Sequence, residues 1–297
     1  MKTLDVQTRI QVKNILFPTD FSPAAAGALP YATEFAKRFG AKLYALHVMT
    51  PVVNPMTEPA TWTVLQKAAE VEAEKRRQTL LKSFPGIKAE VLIEEGDFWS
   101  ILAATVEKNK IDLIVLGTRG RSGVKKFFLG SSAEEVFRQA SCAVLTIGPC
   151  SPEEPRRGGE ISHIVYATDF SKESAAAATY AISLAQEFQA HLTLLHVIAE
   201  PKTGELVQPE ELASSSLHLL RNLVPPDADL WCEPRFEVEL GAADEKILDV
   251  AKRRKADLIV LGVRRPGGFP GAATHLPIAT AHRVVSQAEC PVLTIRG

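Results

Sequence analysis

A chain that repeats itself at long range has few ways to fold, and this one repeats. Residues 15–48, ILFPTDFSPAAAGALPYATEFAKRFGAKLYALHV, align without a gap on residues 164–197, IVYATDFSKESAAAATYAISLAQEFQAHLTLLHV, with 16 identities in 34 positions at a constant offset of 149. Farther on, KIDLIVLG (110–117) recurs as KADLIVLG (255–262) at an offset of 145, and CAVLTI (142–147) as CPVLTI (290–295) at 148. The drift in offset marks loops of unequal length. A period of this size is far beyond a solenoid unit and lets each copy bury its own core. The total of 297 residues agrees, at roughly 100–200 residues per domain. The expected division is 1–150 and 151–297, with PCSPEEPRRGGEIS (149–162), rich in Pro, Gly and charge, as the linker.

Within each copy, short apolar runs alternate with helical patterns. NILFPTD reads as a strand, and Ser22-Pro23 supplies an N-cap and a first-turn proline ahead of an apolar stripe through Leu29, Ala32, Phe35, Ala36 and Phe39. Then follow AKLYALHV (strand), residues 60–82 (helix, with Glu72 and Arg76 at i,i+4), IKAEVLIEE (strand) and 98–109 (helix). IDLIVLG reads as a fully buried strand, 117–130 as a Gly-rich loop, about 131–140 as a helix, and AVLTI as the last strand. Five strands joined by four crossovers predict an α/β copy with a parallel sheet and helices on both faces. The second copy follows the same plan.

Composition removes several function classes. Lys and Arg total 34 against 35 Asp and Glu, a formal charge of -1, so no basic excess exists to neutralise a phosphate backbone or an anionic bilayer. Nucleic acid and membrane are not expected partners. The first residues place Asp5, Arg9 and Lys13 where a signal peptide needs an apolar core, which predicts a cytoplasmic location. The four cysteines, Cys142, Cys150, Cys232 and Cys290, show no metal-ligand spacing and are expected as reduced thiols.

In an open parallel sheet, ligands bind beyond the carboxyl ends of the strands where the strand order reverses, so the turns after strands one and four are the candidates. After strand one stands Pro18-Thr19-Asp20-Phe21-Ser22. Its acid either accepts hydrogen bonds from ribose hydroxyls or caps the next helix. After strand four stand Gly117-Thr118-Arg119-Gly120, nine further residues, and Gly130-Ser131-Ser132 opening a helix. Glycines admit an anion close to the backbone, and a helix N-terminus offers unpaired N–H groups and a favourable dipole. The alternative is a plain surface loop. Arg119, Arg121, Lys125 and Lys126 either screen phosphate charge or form a solvated turn.

These residues carry a resemblance. Gly117, Gly120, Gly130 and Ser131 fit the pattern G-x-x-G-x9-G-S/T, downstream of PTDFS, and over nearly its whole length the chain resembles the universal stress proteins in a tandem arrangement. The resemblance implies strand order 3-2-1-4-5 in each copy, a doubly wound five-stranded sheet. It also implies an adenine nucleotide, ATP or ADP with or without Mg²⁺, on Pro18, Thr19, Asp20, Val48, Gly117, Arg119, Gly120, Gly130, Ser131 and Ser132. In such members the strand-one acid holds the ribose, backbone near Val48 meets the adenine, and the glycine loop with Ser131 and Ser132 holds the phosphates. Family members pair through the last strand, which implies an internal pseudo-dimer of the two copies and leaves room for a homodimer. That pairing would cover the apolar edges AVLTI and PVLTI.

Copy two keeps half of this. Asp169, Val197 and Gly262 match Asp20, Val48 and Gly117, but Arg265 replaces Gly120, and Ile278 and Ala279 replace Gly130 and Ser131, in a loop three residues longer. Ordinary ATP binding is therefore not expected there; Arg264, Arg265 and the glycines at 267, 268 and 271 form a different anion site or a divergent surface loop. His47 and His196 repeat beside Val48 and Val197 and read as structural imidazoles before general bases. Cys142 and Cys290 read as core filler, and His275 with His282 lacks a third metal ligand. No GxxxxGK[ST], no GxSxG and no clear carboxylate pair appears. The reading is an ATP-binding stress-response regulator or sensor with one site and little or slow hydrolysis. Its alternatives are a slow ATPase or nucleotidyl-transfer enzyme, and a nucleotide-free scaffold.

Overall fold

In a computed structural model of the chain, the described residues are 9–49, 59–118, 129–148, 159–200, 209–226, 228, 230–264 and 277–296. Arg119, Gly120, Arg121, Lys125, Lys126, Cys150, Arg265 and His275 lie outside them. The first copy runs β1 (Asn14–Pro18), α1 (Pro23–Phe39), β2 (Lys42–Met49), α2 (Pro59–Lys82), β3 (Ala89–Glu95), α3 (Phe98–Lys108), β4 (Leu113–Gly117), α4 (Ser131–Gln139) and β5 (Ala143–Ile147). The second runs β6 (His163–Thr168), α5 (Lys172–Phe188), β7 (His191–Ile198), α6 (Pro209–Asn222), β8 (Arg235–Leu240), α7 (Ala243–Arg253), β9 (Leu258–Val263), α8 (Pro277–Gln287) and β10 (Val292–Arg296).

Local chemistry sets these boundaries. Ser22 caps α1 by accepting from the Ala25 N–H, Pro23 follows with its φ already helical, and Gly40 ends the helix in the left-handed region at φ 62°. Asp97 caps α3, accepting from the Ser100 N–H at 2.9 Å and its hydroxyl at 2.7 Å. β1, β4, β5, β6, β9 and β10 are predominantly apolar because both faces of the sheet are covered.

The strands form one ten-stranded sheet in the order β3-β2-β1-β4-β5-β10-β9-β6-β7-β8, so each copy has the order 3-2-1-4-5. All neighbours are parallel except β5 and β10, which meet antiparallel and close each other's apolar edge. One core layer packs α1 and α5 on the sheet, and Phe35 and Phe188 touch across the copies with ring centroids 5.2 Å apart. The other layer packs α3, α4, α7 and α8 on the opposite face. The order reverses between β1 and β4, and again between β6 and β9.

Candidate functional site

At the first reversal the two expected turns are in contact. A Cβ built on Gly117 would lie 2.3 Å from the carbonyl oxygen of Ala24, so the end of β4 presses directly on the first turn of α1. Gly262 meets the start of α5 in the same way, 2.4 Å from Ser174 Cα. This glycine therefore serves packing in both copies.

The strand-one turn is a built device rather than a loose cap. Thr19 N–H donates to Leu46 O at 2.8 Å, Phe21 N–H to Thr19 Oγ1 at 3.1 Å, and Ser22 N–H to Asp20 Oδ1 at 2.9 Å. Ser22, not Asp20, is the N-cap of α1, and Asp20 closes the turn before it. Phe21 sits at φ 60°, a left-handed conformation that a bulky side chain adopts only when its surroundings enforce it. The second copy repeats the side-chain bonds and the left-handed residue: Phe170 N–H to Thr168 Oγ1 at 2.9 Å, Ser171 N–H to Asp169 Oδ1 at 3.0 Å, and Phe170 at φ 59°.

Beneath that turn lies a histidine whose tautomer follows from its partners. His47 is 5% exposed, with Nδ1 2.8 Å from Thr19 O and Nε2 2.6 Å from Arg76 Nη1. A guanidinium only donates, so Nε2 accepts and Nδ1 carries the proton toward Thr19. Arg76 also lies over the Phe21 ring, 5.3 Å from its centroid, and holds Glu72 at 3.0 Å. His196 makes the same bond to Thr168 O at 2.8 Å. Both histidines are structural supports of the turn, and Arg76, by sequence spacing an i,i+4 partner of Glu72, is a further contributor.

The glycine loop leaves the sheet at Thr118, whose N–H donates to Ile147 O at 2.9 Å, and returns at Gly130, whose N–H donates to Thr118 O at 2.7 Å. Gly130 is the N-cap of α4 with ordinary φ -61° and gives the helix no side-chain cap. Helices α1, α3 and α5 have such caps, from Ser22, Asp97 and Ser171, whereas α7, like α4, starts without one, at Ala242. α4 therefore starts at the reversal without one, and Ser131 and Ser132 are exposed there. An anion is the natural complement of such a terminus. Pro18 and Thr19 are buried, and Val48 half-buried, on the neighbouring strand ends. Of the ten expected site residues, Arg119 and Gly120 fall outside the described ones.

In copy two, α8 begins at Pro277, two positions ahead of Ala279, the counterpart of Ser131. Proline brings no N–H to that terminus. His282 stands 3.9 Å from Glu134. Burial pushes the Cys142 thiol up to about 12, and Cys290 is buried, which fits both as filler. Among the described residues no group of three or more His, Cys, Asp or Glu could hold a metal ion, and no helix is long and apolar enough to cross a membrane.

Comparison with known proteins agrees with this geometry. The model of the Universal stress protein family matches residues 11–148 and 160–296. A universal stress protein of Methanocaldococcus jannaschii is 33% identical over 139 residues, 46% of this chain and 81% of that protein. One of Mycobacterium tuberculosis is 24% identical over 313 residues, 95% of this chain and 94% of its own. The crystal structure of a universal stress protein from Archaeoglobus fulgidus superposes with a TM-score of 0.68 at 22% identity, covering 97% of this chain and 99% of the other.

Proposed function

This chain belongs to the universal stress protein family, and we propose that its N-terminal copy binds an adenine nucleotide, ATP or ADP, as the signal of a cytoplasmic stress-response regulator. The observation that carries this reading is the uncapped start of α4 at Gly130-Ser131-Ser132, set at the strand reversal beside the Asp20 turn. Phosphate oxygens would take the N–H groups and hydroxyls of Ser131 and Ser132, and the carboxylate of Asp20 would take ribose hydroxyls. Backbone at Val48 would border the adenine. Mg²⁺, where present, would arrive on the phosphates and offset their charge. Arg119 and Gly120 complete the proposed set. Hydrolysis is little or slow, so occupancy rather than turnover carries the information, and the two copies act as a pseudo-dimer divided within the 149–162 segment. A homodimer of the whole chain would add a second pair of copies.

The test is to purify the chain without added nucleotide, denature it, identify what is released by chromatography, and titrate the stripped protein with Mg-ATP by calorimetry. A single equivalent, lost in Gly130→Asp, is the expected result. Neither release nor binding heat from folded protein would leave the chain an interaction scaffold. Rapid steady-state turnover would make it an enzyme.

A further inference from the structure

The amino end of the second copy's sheet holds a thiol and an imidazole in contact. His191 opens β7, Cys232 lies three residues ahead of β8, and Cys232 Sγ is 3.0 Å from His191 Nδ1. His191 is exposed and Cys232 half-buried, so the pair is open to solvent. It lies at the opposite end of the strands from the Asp169 turn, which follows the carboxyl end of β6. We propose that Cys232 is a thiol-modification site, at which a small disulfide of the glutathione class forms a mixed disulfide with His191 as the proton acceptor.

The pair is particular to this copy. His163 pairs with His191 between β6 and β7 as Asn14 pairs with Lys42 between β1 and β2, and Thr193 pairs with Arg235 as Tyr44 pairs with Glu90. Counting back from those registers, Lys42 and Ile87 stand where the second copy has His191 and Cys232. There Lys42 forms an ion pair with Glu90 at 2.6 Å. A surface ion pair in one copy is thus a nucleophile with its base in the other.

The thiolate, not the thiol, is the nucleophile, and a base within hydrogen-bond reach supplies it. A neutral imidazole has one acceptor nitrogen, and Nδ1 is the nitrogen that faces the sulfur. His163 stands behind, with ring centroids 5.9 Å apart, and its Nε2 is engaged by Thr193 Oγ1 at 2.9 Å. Burial above all holds His163 below 6.5, so at neutral pH it is uncharged and does not oppose a proton on His191. The charged groups around the pair are Arg235, Arg254, Asp257 and Glu233, with Arg254 tied to Glu237 at 2.5 Å. Their signs balance, which leaves the imidazole to move the proton. Cys142 and Cys290 have the contrary setting, the first pushed up to about 12 by burial and the second buried in the core.

The exchange closes on itself. The Sγ proton passes to His191 Nδ1, Cys232 Sγ bonds one sulfur of the disulfide, and the S–S bond breaks onto the other sulfur, which leaves as a thiolate and takes the proton from the imidazolium. Cys232 is oxidised and one sulfur of the disulfide is reduced, so no further oxidant enters.

The experiment is to incubate the reduced full chain with oxidised glutathione at neutral pH and follow each cysteine by peptide mass mapping. An ordinary thiol is only a few per cent thiolate at pH 7, so Cys232 should react about tenfold faster in the folded chain than in the urea-unfolded chain. Cys142 and Cys290 should stay unmodified while the fold holds. His191→Gln, at an exposed strand start, should remove the advantage of Cys232 at neutral pH, and the gap to the parent chain should close near about pH 10, where cysteine thiols ionise unaided. A purely structural His191 would give no gap that closes with pH. Circular dichroism checks that the variant is folded, and His191→Asn repeats the test should glutamine disturb the strand. Cys232 reacting no faster than in the unfolded chain, slower than Cys142 or Cys290, or as fast in His191→Gln as in the parent would each overturn the proposal, as would a gap that persists at the higher pH.

Discussion

Leu145 of β5 stands directly opposite Leu293 of β10, its own counterpart 148 residues later. The flanking pairs mirror each other, Thr146 with Val292 and Val144 with Thr294, and both threonine hydroxyls donate across the seam, at 3.0 Å and 3.3 Å. An approximate two-fold axis therefore passes through the leucine pair, and the two copies share one core instead of abutting. Both leucines are essentially unexposed, at 0% and 1%. Leu145→Ala and Leu293→Ala should each cost about 2–5 kcal/mol in urea unfolding. Because they are cross-strand neighbours, the double variant should differ from the sum by about 0.5 kcal/mol or more. Strict additivity would mean that the seam is not formed in solution.

Glycines of one helix-strand unit should respond with opposite signs. A methyl group at Gly117 has nowhere to go, with Ala24 O at 2.3 Å, and at Gly262 it meets Glu173 O at 2.5 Å. Gly117→Ala and Gly262→Ala should each destabilise by about 1–3 kcal/mol or more, whether or not nucleotide is present. Gly27, inside α1 with no atom within 4 Å of a built Cβ, is the control. Gly27→Ala should stabilise by about 0.5–1 kcal/mol through helix propensity. Equal effects at all three positions would refute the packing account.

Much of this was legible in the chain itself, because the relevant signals are local or periodic. Ser22-Pro23 marks the start of α1, the apolar runs mark buried strands, and the repeat implies two copies of one topology. Legibility ends where a role depends on a partner distant in sequence. Gly117 looks like an anion-loop glycine until Ala24 is seen against it. Arg76 looks like half of an i,i+4 pair until His47 is found under it. Asp20 and Ser22 compete on paper for the cap of α1, and only the hydrogen bonds assign it to Ser22.

Acid should weaken the fold through His163. This side chain, with Nε2 2.9 Å from Thr193 Oγ1, is held below the ordinary value of 6.5 by burial first, and then by the nearby His191 and Arg235. The unfolded chain thus binds the proton more readily than the folded one. Stability is complete above about pH 6.5 and is lost as the pH falls through the depressed folded value. NMR titration should place the His163 midpoint below 6.5, and His163→Gln should reduce the loss of stability between neutral and mildly acidic pH. A midpoint above 6.5 would reverse the sign and refute the argument.

The last prediction concerns the support under the Asp20 turn. Arg76 donates to His47 Nε2 at 2.6 Å, His47 donates through Nδ1 to Thr19 O at 2.8 Å, and Thr19 Oγ1 accepts from Phe21, whose left-handed backbone aims the chain from Asp20 into α1. The second copy keeps the histidine, but four residues before its buried Leu220 it carries Ser216, where the first copy has Arg76 four before Leu80. Long-range ¹H–¹⁵N spectra should therefore show His47 as the Nδ1–H tautomer, which is the less common form in free imidazole side chains. Arg76→Ala removes a charge-assisted hydrogen bond and a cation–π contact, and should destabilise by about 1–3 kcal/mol. If the N-terminal copy holds nucleotide as proposed, the same substitution should also weaken its affinity, because the strained turn loses one of the bonds that over-determine it. Arg76→Lys should not restore it, since a point ammonium cannot reach Nε2, Glu72 and the Phe21 face at once. An Nε2–H tautomer, or full rescue by lysine, would show that the relay does not hold the turn.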